Sequence, residues 1–456
     1  MSATVATMPN YQVDVLEGIG RARRGAIRCD IGKHMTFTTE GLESYFFAEW
    51  NPVIVDALLV AASVEFCDKT LRRPSATWGR EIELKLPVHN VDLWRSRKVS
   101  DTLVDALDLL TGDRWSVQYR PRKNPEAERR QGQFTLPSAT KAVMPFSDGL
   151  DSWAVATSYD RNNPGQLLRV RLGTSAPASS RIAVRPPAFA HVPYRVRTGE
   201  RRTVQSSVRS RGFKFALIAG IAAYLANIED IVVPESGQGV LGPVIVPVGQ
   251  APDFRCHPRF TSAMERFLFA LLGHRVQYQY PRLGHTKGET LRGAVANDPS
   301  ATGWMQTRTC WQSGRHVSVD RKRRQCGICA ACLLRRLSVY SAGLTEPSET
   351  YVWENLQTPE FRGGANSSFT KFTLALEQHA IAGTLHLGRL ATLEPLSEYT
   401  DIANGTLLLS QALRLPEIEV VMQQQSLWRR HRHEWQAFLE WLGPHSFITR
   451  WAQAAA

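Results

Sequence analysis

Residues Lys141–Ser152 read KAVMPFSDGLDS. The apolar run Lys141–Phe146 predicts a strand, and a helix follows from Asp151 to about Tyr159. Between them lie Ser147, Asp148, Gly149, Leu150, Asp151 and Ser152. Unpaired N–H groups at a helix N-terminus attract an anion, and the helix dipole adds to the attraction. Gly149 permits a turn and close approach of a phosphate, while the Ser147 and Ser152 hydroxyls add donors. The same residues also suit an ordinary capped turn, because Asp and Ser are common N-caps.

Outward from this loop, strands and helices alternate. Gln166–Leu172, Asp230–Pro234 and Val276–Tyr280 read as strands. Helices are predicted over about Ser210–Asn227, over about Phe260–Leu272 and from Thr286. Such alternation predicts an α/β fold whose parallel sheet is covered on both faces. Ligands of such sheets bind at the carboxyl ends of the strands. Thr286 and Glu289 form a capping-box pattern, and Lys287 sits where a cation could meet a phosphate. Arg211 opens a helix, an unfavourable place for a cation, which points it toward a ligand. Asp253 and Arg255 suit a plain ion pair, the alternative to any ligand role. Glu235, at the end of Asp230–Pro234, lies at the ligand edge or is simply a loop carboxylate.

Regions flank this one on both sides, giving expected boundaries of 1–138, 139–345 and 346–456. In the first, Pro52–Cys67 reads as a buried helix and Glu81–Leu86 as a strand. Ser100 is the expected N-cap of a helix over Asp101–Leu110 with Gly112 beyond it, and Trp115–Tyr119 is another strand. This predicts a small α+β domain, closed by the polar linker Arg120–Gln133. The third region reads helical over Phe369–Leu385, Leu407–Leu413 and Ser426–Phe447, with Trp428, Trp435, Trp441 and Trp451 expected in its core. Neither flank shows a catalytic constellation.

The 456 residues are 43% hydrophobic and 21% charged, which excludes disorder of the whole chain. The most apolar run, Phe215–Ala226, is shorter than the roughly 20 residues of a membrane-spanning helix. The net charge of +13 favours anionic partners. Arg195, Arg197, Arg201, Arg202, Arg209 and Arg211 form one cluster, and Arg321, Arg323 and Arg324 another; a solvated face is the plain alternative. The opening residues, MSATVATMPNYQVDVLEG, lack a basic segment followed by an apolar one, so no secretory segment and a cytoplasmic location are expected. Four of the seven cysteines, Cys310, Cys326, Cys329 and Cys332, are spaced C-x15-C-x2-C-x2-C. Cys326-Gly327-Ile328-Cys329 forms a knuckle, and four thiolates suit tetrahedral Zn²⁺. An iron–sulfur cluster is the rival occupant, and Cys256 the alternative fourth ligand.

Ser-x-Gly-x-Asp-Ser after a strand resembles the PP-loop of the adenine-nucleotide alpha hydrolases, a Rossmann-like fold. That family usually has Gly where Asp148 stands; an acidic side chain there would repel pyrophosphate or help hold Mg²⁺. The loop followed by C…CGxCxxC resembles the 7-cyano-7-deazaguanine synthase (QueC) family. Ser210-Arg211-Gly212, Pro252-Asp253-Phe254-Arg255, Thr286-Lys287-Gly288-Glu289 and Thr309-Cys310-Trp311 resemble further segments of it in the same order. The resemblance covers about residues 140–342.

It implies ATP and Mg²⁺ held at residues 147–152, with Asp151, Lys287 and Arg211 as catalytic candidates, Asp253, Arg255 and Glu235 as substrate-binding candidates, and Zn²⁺ as a structural brace. It also implies adenylation of the carboxylate of 7-carboxy-7-deazaguanine, with release of pyrophosphate. Ammonia then displaces AMP to give an amide, and a second ATP converts the amide to the nitrile. That family usually has Asp-Tyr-Gly-Gln after its second strand, where this chain has Leu172-Gly173-Thr174-Ser175. The long layout resembles QueC-like proteins of bacterial anti-phage operons, including the Qat systems. This suggests an amine on a partner macromolecule, a protein of the same operon or a nucleic acid, as the acceptor. A homodimer is a further implication. A PP-loop tRNA-thiolating enzyme and a non-catalytic nucleotide-binding scaffold are the alternatives.

Overall fold

The structure, a computed structural model, describes residues 8–37, 45, 51–73, 79–123, 139–172, 188–199, 209–241, 253–296, 302–312, 317–393 and 400–454. Residues 124–133 of the expected linker, residues 173–175, and Arg201, Arg202 and Pro252 lie outside these. The chain divides into two units. The first comprises Met1–Ser147, Asn163–Val233 and Asp253–Gln279; the second comprises Asp148–Asn162, Pro234–Pro252 and Tyr280–Ala456.

The first unit holds two four-stranded parallel sheets. One is built from β1 (Asn10–Leu16), β2 (Ile27–Asp30), β4 (Glu81–Val88) and β5 (Arg114–Pro121), in the order β2-β1-β4-β5. In β4, Ile82, Leu84 and Leu86 are buried while Glu81, Glu83 and Lys85 are less so, as the alternation predicts. The expected α+β arrangement is instead a parallel sheet with helices between its strands. A parallel pair such as β4 and β5 needs a crossover, supplied by α2 (Val91–Arg95) and α3 (Arg97–Thr111). Helix α3 begins one turn before the expected start, so Ser100 lies inside it. Ser96 precedes it without capping it, because its hydroxyl donates to the Leu93 carbonyl at 2.6 Å. Gly112 ends the helix at φ 67°, a left-handed conformation that suits glycine.

The second sheet has the order β10-β9-β6-β7. Its strands are β6 (Ala142–Phe146), β7 (Leu167–Arg171), β9 (Asp230–Val232) and β10 (Gln277–Gln279), all parallel. Strand β6 has β7 on one side and β9 on the other, so the winding direction reverses between β6 and β9. Their carboxyl ends form the switch point of this sheet. Strands β3 (Met35–Phe37) and β8 (Tyr194–Val196) pair antiparallel beside these sheets in sequence.

Helix α1 (Pro52–Thr70) packs on α5 (Arg211–Ala226), and α3 packs on α7 (Pro258–Leu272), so the two sheets share a helical layer. Asn51 caps α1 by accepting from the Val53 N–H at 3.0 Å. A buried charge network crosses this layer. Arg80, fully buried, donates to Asp68 at 2.7 Å and to Asp113 at 2.6 Å; Arg73 joins both carboxylates. Asp68 also accepts from the Ser210 N–H at 2.7 Å, which fixes the start of α5.

The second unit contains α4 (Leu150–Asn162), α6 (Gly237–Leu241), α8 (Lys287–Val295) and α9 (Ala330–Ser341). A small hairpin, β11 (Ser318–Val319) with β12 (Lys322–Arg323), precedes α9. Helices α10 (Leu374–Thr392), α11 (Thr400–Leu413), α12 (Glu417–Leu442) and α13 (Phe447–Ala454) complete it. Leu150 of α4, Leu291 and Val295 of α8, Trp304 and Val339 form one apolar cluster. A larger one gathers Trp353, Phe369, Leu376, Trp435 and Phe438 around three of the cysteines. Trp428 and Trp435 are buried as predicted, but Trp441 is exposed, stacked on Phe438 at 5.7 Å. Helix α10 starts at Leu374 rather than Phe369, because the Thr373 hydroxyl caps it through the Leu376 N–H. Among the described residues no helix is long and apolar enough to cross a membrane.

Candidate active site and metal centre

The chain leaves β6 into Ser147–Ser152 and leaves β9 toward Pro234 and Glu235. Ser147 ends the first unit's stretch, and Asp148 begins the second's. Asp148 is exposed, and its carbonyl accepts from the Arg308 N–H at 2.7 Å. Leu150 is buried as the first residue of α4, and Ser152 is buried in its first turn.

Asp151, Glu235 and Lys287, three residues far apart in sequence, meet in the second unit. Lys287 Nζ lies 2.7 Å from Asp151 Oδ2 and 3.9 Å from Glu235 Oε1. Lys287 is only 6% exposed. Burial opposes its charge, but the two carboxylates outweigh burial and raise its pKa above the ordinary lysine value. Glu235 responds the other way. Burial, reinforced by the Asp151 charge, pushes its carboxyl up to about 8 despite Lys287. Asp151 Oδ1 is buried without a hydrogen-bond partner among the described residues. The group thus holds one lysine cation, one carboxylate with an idle oxygen and one carboxyl poised near neutrality.

Local structure explains why Lys287 is held there. It is the first residue of α8, and the capping box read from Thr286 and Glu289 is present: the Thr286 hydroxyl accepts from the Glu289 N–H at 3.0 Å, and Glu289 accepts from the Thr286 N–H at 2.8 Å. The Lys287 N–H donates to Gln238 Oε1 at 2.7 Å. Gln238 belongs to Ser236-Gly237-Gln238-Gly239. A side chain at Gly237 would overlap the Leu283 carbonyl, and one at Gly239 would overlap the Glu235 carboxyl. A Gly- and Ser-rich segment directly after a predicted strand was the available signal for Gln238.

The other predicted residues form a separate group in the first unit. Arg255 pairs with Asp253 through its side chain and through its N–H at 3.1 Å. This is the local ion pair named above as the alternative. Gly212 lets the start of α5 approach Arg255, since a Cβ there would lie 2.9 Å from the Arg255 Cα. Arg211 is exposed, with its guanidinium 4.9 Å from the Phe215 ring centroid. Arg195, Arg197, Arg321 and Arg323 are exposed, as a solvated face would be, whereas Arg324 pairs with Glu354.

The Sγ atoms of Cys310, Cys326, Cys329 and Cys332 all lie within 4.8 Å of one another. Cys310 therefore completes the group; Cys256 does not. The Cys326–Cys332 separation is 3.7 Å, near the edge of about 3.8 Å for a tetrahedron with Zn–S bonds of about 2.3 Å. Four thiolates bound to one ion sit this close, whereas a cluster spreads its thiolates over several irons. Gly327 turns the knuckle at φ 87°. The N–H groups of Ile328 and Cys329 point at Cys326 Sγ, and those of Gln312 and Cys326 at Cys310 Sγ. Hydrogen bonds from the other three thiols lower the Cys310 pKa, while burial raises those of Cys326 and Cys332. Four thiolates in this pocket require a cation, and the group can hold a metal ion such as zinc. Arg335, fully buried between Glu346, the Thr307 hydroxyl and the Trp304 carbonyl, braces the approach to Cys310.

Comparison with known proteins gives distant relatives. The chain is 22% identical over 220 residues to a 7-cyano-7-deazaguanine synthase of Cupriavidus necator, covering 47% of this chain and 92% of that one. It is 29% identical over 102 residues to the 7-cyano-7-deazaguanine synthase of Hydrogenovibrio crunogenus, covering 21% of this chain and 39% of that protein. The match to a third, from Cupriavidus taiwanensis, is 28% identical and covers 40% of its length. The chain thus spans about two fifths of two of these relatives and most of the other. No family model matches it, and no solved structure matches it.

Proposed function

We propose that this chain is an ATP-using, AMP- and pyrophosphate-forming carbon–nitrogen ligase of the 7-cyano-7-deazaguanine synthase kind. The observation that carries this reading is the Asp151–Lys287–Glu235 group, a buried lysine between two half-buried carboxyl groups, directly after the loop from β6. An anion-activating site needs a cation that stays charged in a dry place, and Lys287 is such a cation. Asp151, with an idle buried oxygen, is suited to Mg²⁺, and Ser147, Gly149 and Ser152 to the phosphates. Asp148, being exposed, can leave the phosphate path free.

In the proposed reaction a carboxylate oxygen of 7-carboxy-7-deazaguanine attacks the α-phosphorus of ATP. The bond to the β-phosphate oxygen breaks, and pyrophosphate leaves. An amine nitrogen then attacks the acyl carbon, the bond to AMP breaks, and the nitrogen loses a proton. That proton passes to water, since Glu235 keeps its own up to about pH 8. The protein's main work is positioning and charge neutralisation. Arg211, Asp253 and Arg255 are the proposed deazaguanine contacts.

The acceptor is ammonia or an amine of a partner macromolecule, in a cytoplasmic anti-phage setting. Flanking regions without catalytic constellations of their own support the larger acceptor. The close thiolate geometry supports a zinc brace over the iron–sulfur cluster of the thiolation reading.

The test is incubation with ATP, Mg²⁺ and 7-carboxy-7-deazaguanine, with and without ammonia, read by mass spectrometry. AMP and pyrophosphate should form only with the deazaguanine, and the product mass separates adenylate, amide and nitrile. AMP formed without the deazaguanine, or not at all even with neighbouring proteins and tRNA added, would overturn the proposal.

A further inference from the structure

Helix α12 lies beyond residues 140–342, which carry the family resemblance, yet it reaches the residues around Lys287 at three points. Arg430 pairs with Glu289, the third residue of α8, at 2.9 Å, and also donates to the Gly284 carbonyl. Glu434 accepts from the Thr286 hydroxyl at 2.6 Å. Gly288 makes room for this contact, since a Cβ there would lie 2.9 Å from Glu434 Oε1.

The third point is His431, fully buried. Its Nε2 faces the Leu387 carbonyl of α10 at 2.9 Å, and its Nδ1 faces Gln238 Nε2 at 2.7 Å. A carbonyl only accepts, so Nε2 carries the proton and Nδ1 accepts from the Gln238 amide. That orientation leaves Gln238 Oε1 facing the Lys287 N–H. Each bond in the series fixes the polarity of the next. The neutral imidazole this needs agrees with burial, which pushes His431 down to about 4.

We infer that His431, acting through Gln238, is a positioning residue for Lys287, and that α10 and α12 are a working part of the active site. The inference rests on the proposed role of Lys287 in catalysis, but the clamp itself can be tested without activity. Reorienting the Gln238 amide would turn an N–H toward the Lys287 N–H and release the start of α8. Lys287 would then leave the two carboxylates.

The experiment uses the full chain with His431→Leu, which removes both hydrogen bonds, and His431→Gln, whose amide can donate to Leu387 and accept from Gln238. The first readout is acylation of lysines at limiting reagent, quantified by mass spectrometry. Lys214, ion-paired with Glu65 in the first unit, is the control. In His431→Leu, labelling of Lys287 should rise about tenfold or more relative to Lys214; in His431→Gln it should stay near the natural level. Lys287 protected in His431→Leu, or both lysines rising together, would overturn the inference. The second readout is AMP formation. His431→Leu should lower kcat about ten- to a hundredfold, with KM for ATP little changed, and His431→Gln should restore kcat. An equal loss in both variants would overturn the positioning role. Absence of AMP formation by the natural chain would sink the ligase proposal alone and leave the labelling result to decide the clamp.

Discussion

Glu235→Gln isolates the charge balance of the site. Glu235 holds its proton up to about pH 8 in the folded chain, against an ordinary value of 4.5. Burial is the main cause, and Asp151 adds to it. The folded state therefore binds this proton more tightly than the unfolded state does. Below 4.5 both states are protonated, and the group adds nothing to the pH dependence. From there to about 8 the unfolded chain ionises while the folded chain does not, so stability falls as pH rises. At about 1.4 kcal/mol per pH unit, the loss across this window is about 4–5 kcal/mol. Glutamine fills the same space and does not titrate. The stability of Glu235→Gln relative to the natural chain should therefore climb by about 4–5 kcal/mol from the acid to the alkaline end. The assay is urea unfolding of both proteins across the window, with zinc present throughout. The difference between the two curves removes every other titrating group. A difference that stays flat with pH would refute the reasoning and show that Glu235 is ionised in the folded chain.

Three further outcomes are expected. Lys287→Met should lower AMP formation about a hundredfold or more, because no other described cation pairs with Asp151; near-normal rates would remove Lys287 from the mechanism. Elemental analysis should find one zinc per chain and no visible chromophore, and chelation should expose the buried Trp353 and Trp435 as a red shift in fluorescence; a brown protein containing iron would contradict this. Asp68→Asn should destabilise the first unit by about 3–5 kcal/mol in urea, because it strips a carboxylate from the fully buried Arg80; a cost under about 1 kcal/mol would mean that Asp113 alone suffices.

What could be read in advance followed the range of the interactions. The capping box at Thr286 and Glu289 is a contact across three residues, and the structure has it. The strand β6, the helix after it and the cysteine knuckle are likewise local patterns. Ser100 misled because Ser96, four residues earlier, stands at the end of a short helix that apolar spacing does not reveal. The parallel pairing in the first region was also hidden, since alternation sets which face of β4 is buried but not which neighbour it pairs with. His431 and Glu434 carry no mark of their roles. His431 lies 193 residues from Gln238 and Glu434 148 residues from Thr286, and a buried histidine in an amphipathic helix looks the same whatever it touches. Gln238 was nearer to view, because the glycines around it answer a close approach that few other segments demand.

The interleaving of the two units has a consequence for synthesis. The ribosome delivers Asp148–Asn162 early, but the residues that bury Leu150 of α4 begin with Leu291 and end with Val339. Strand β10, at an edge of the second sheet, is completed only at Gln279, about three fifths of the way along the chain. Neither unit can close while its last segment is still being made. The nascent chain must carry unsheltered apolar helices for much of its translation, the state in which chains aggregate or recruit chaperones. Stopping the chain early does not yield a smaller folded protein: it leaves segments already made without the partners that arrive last.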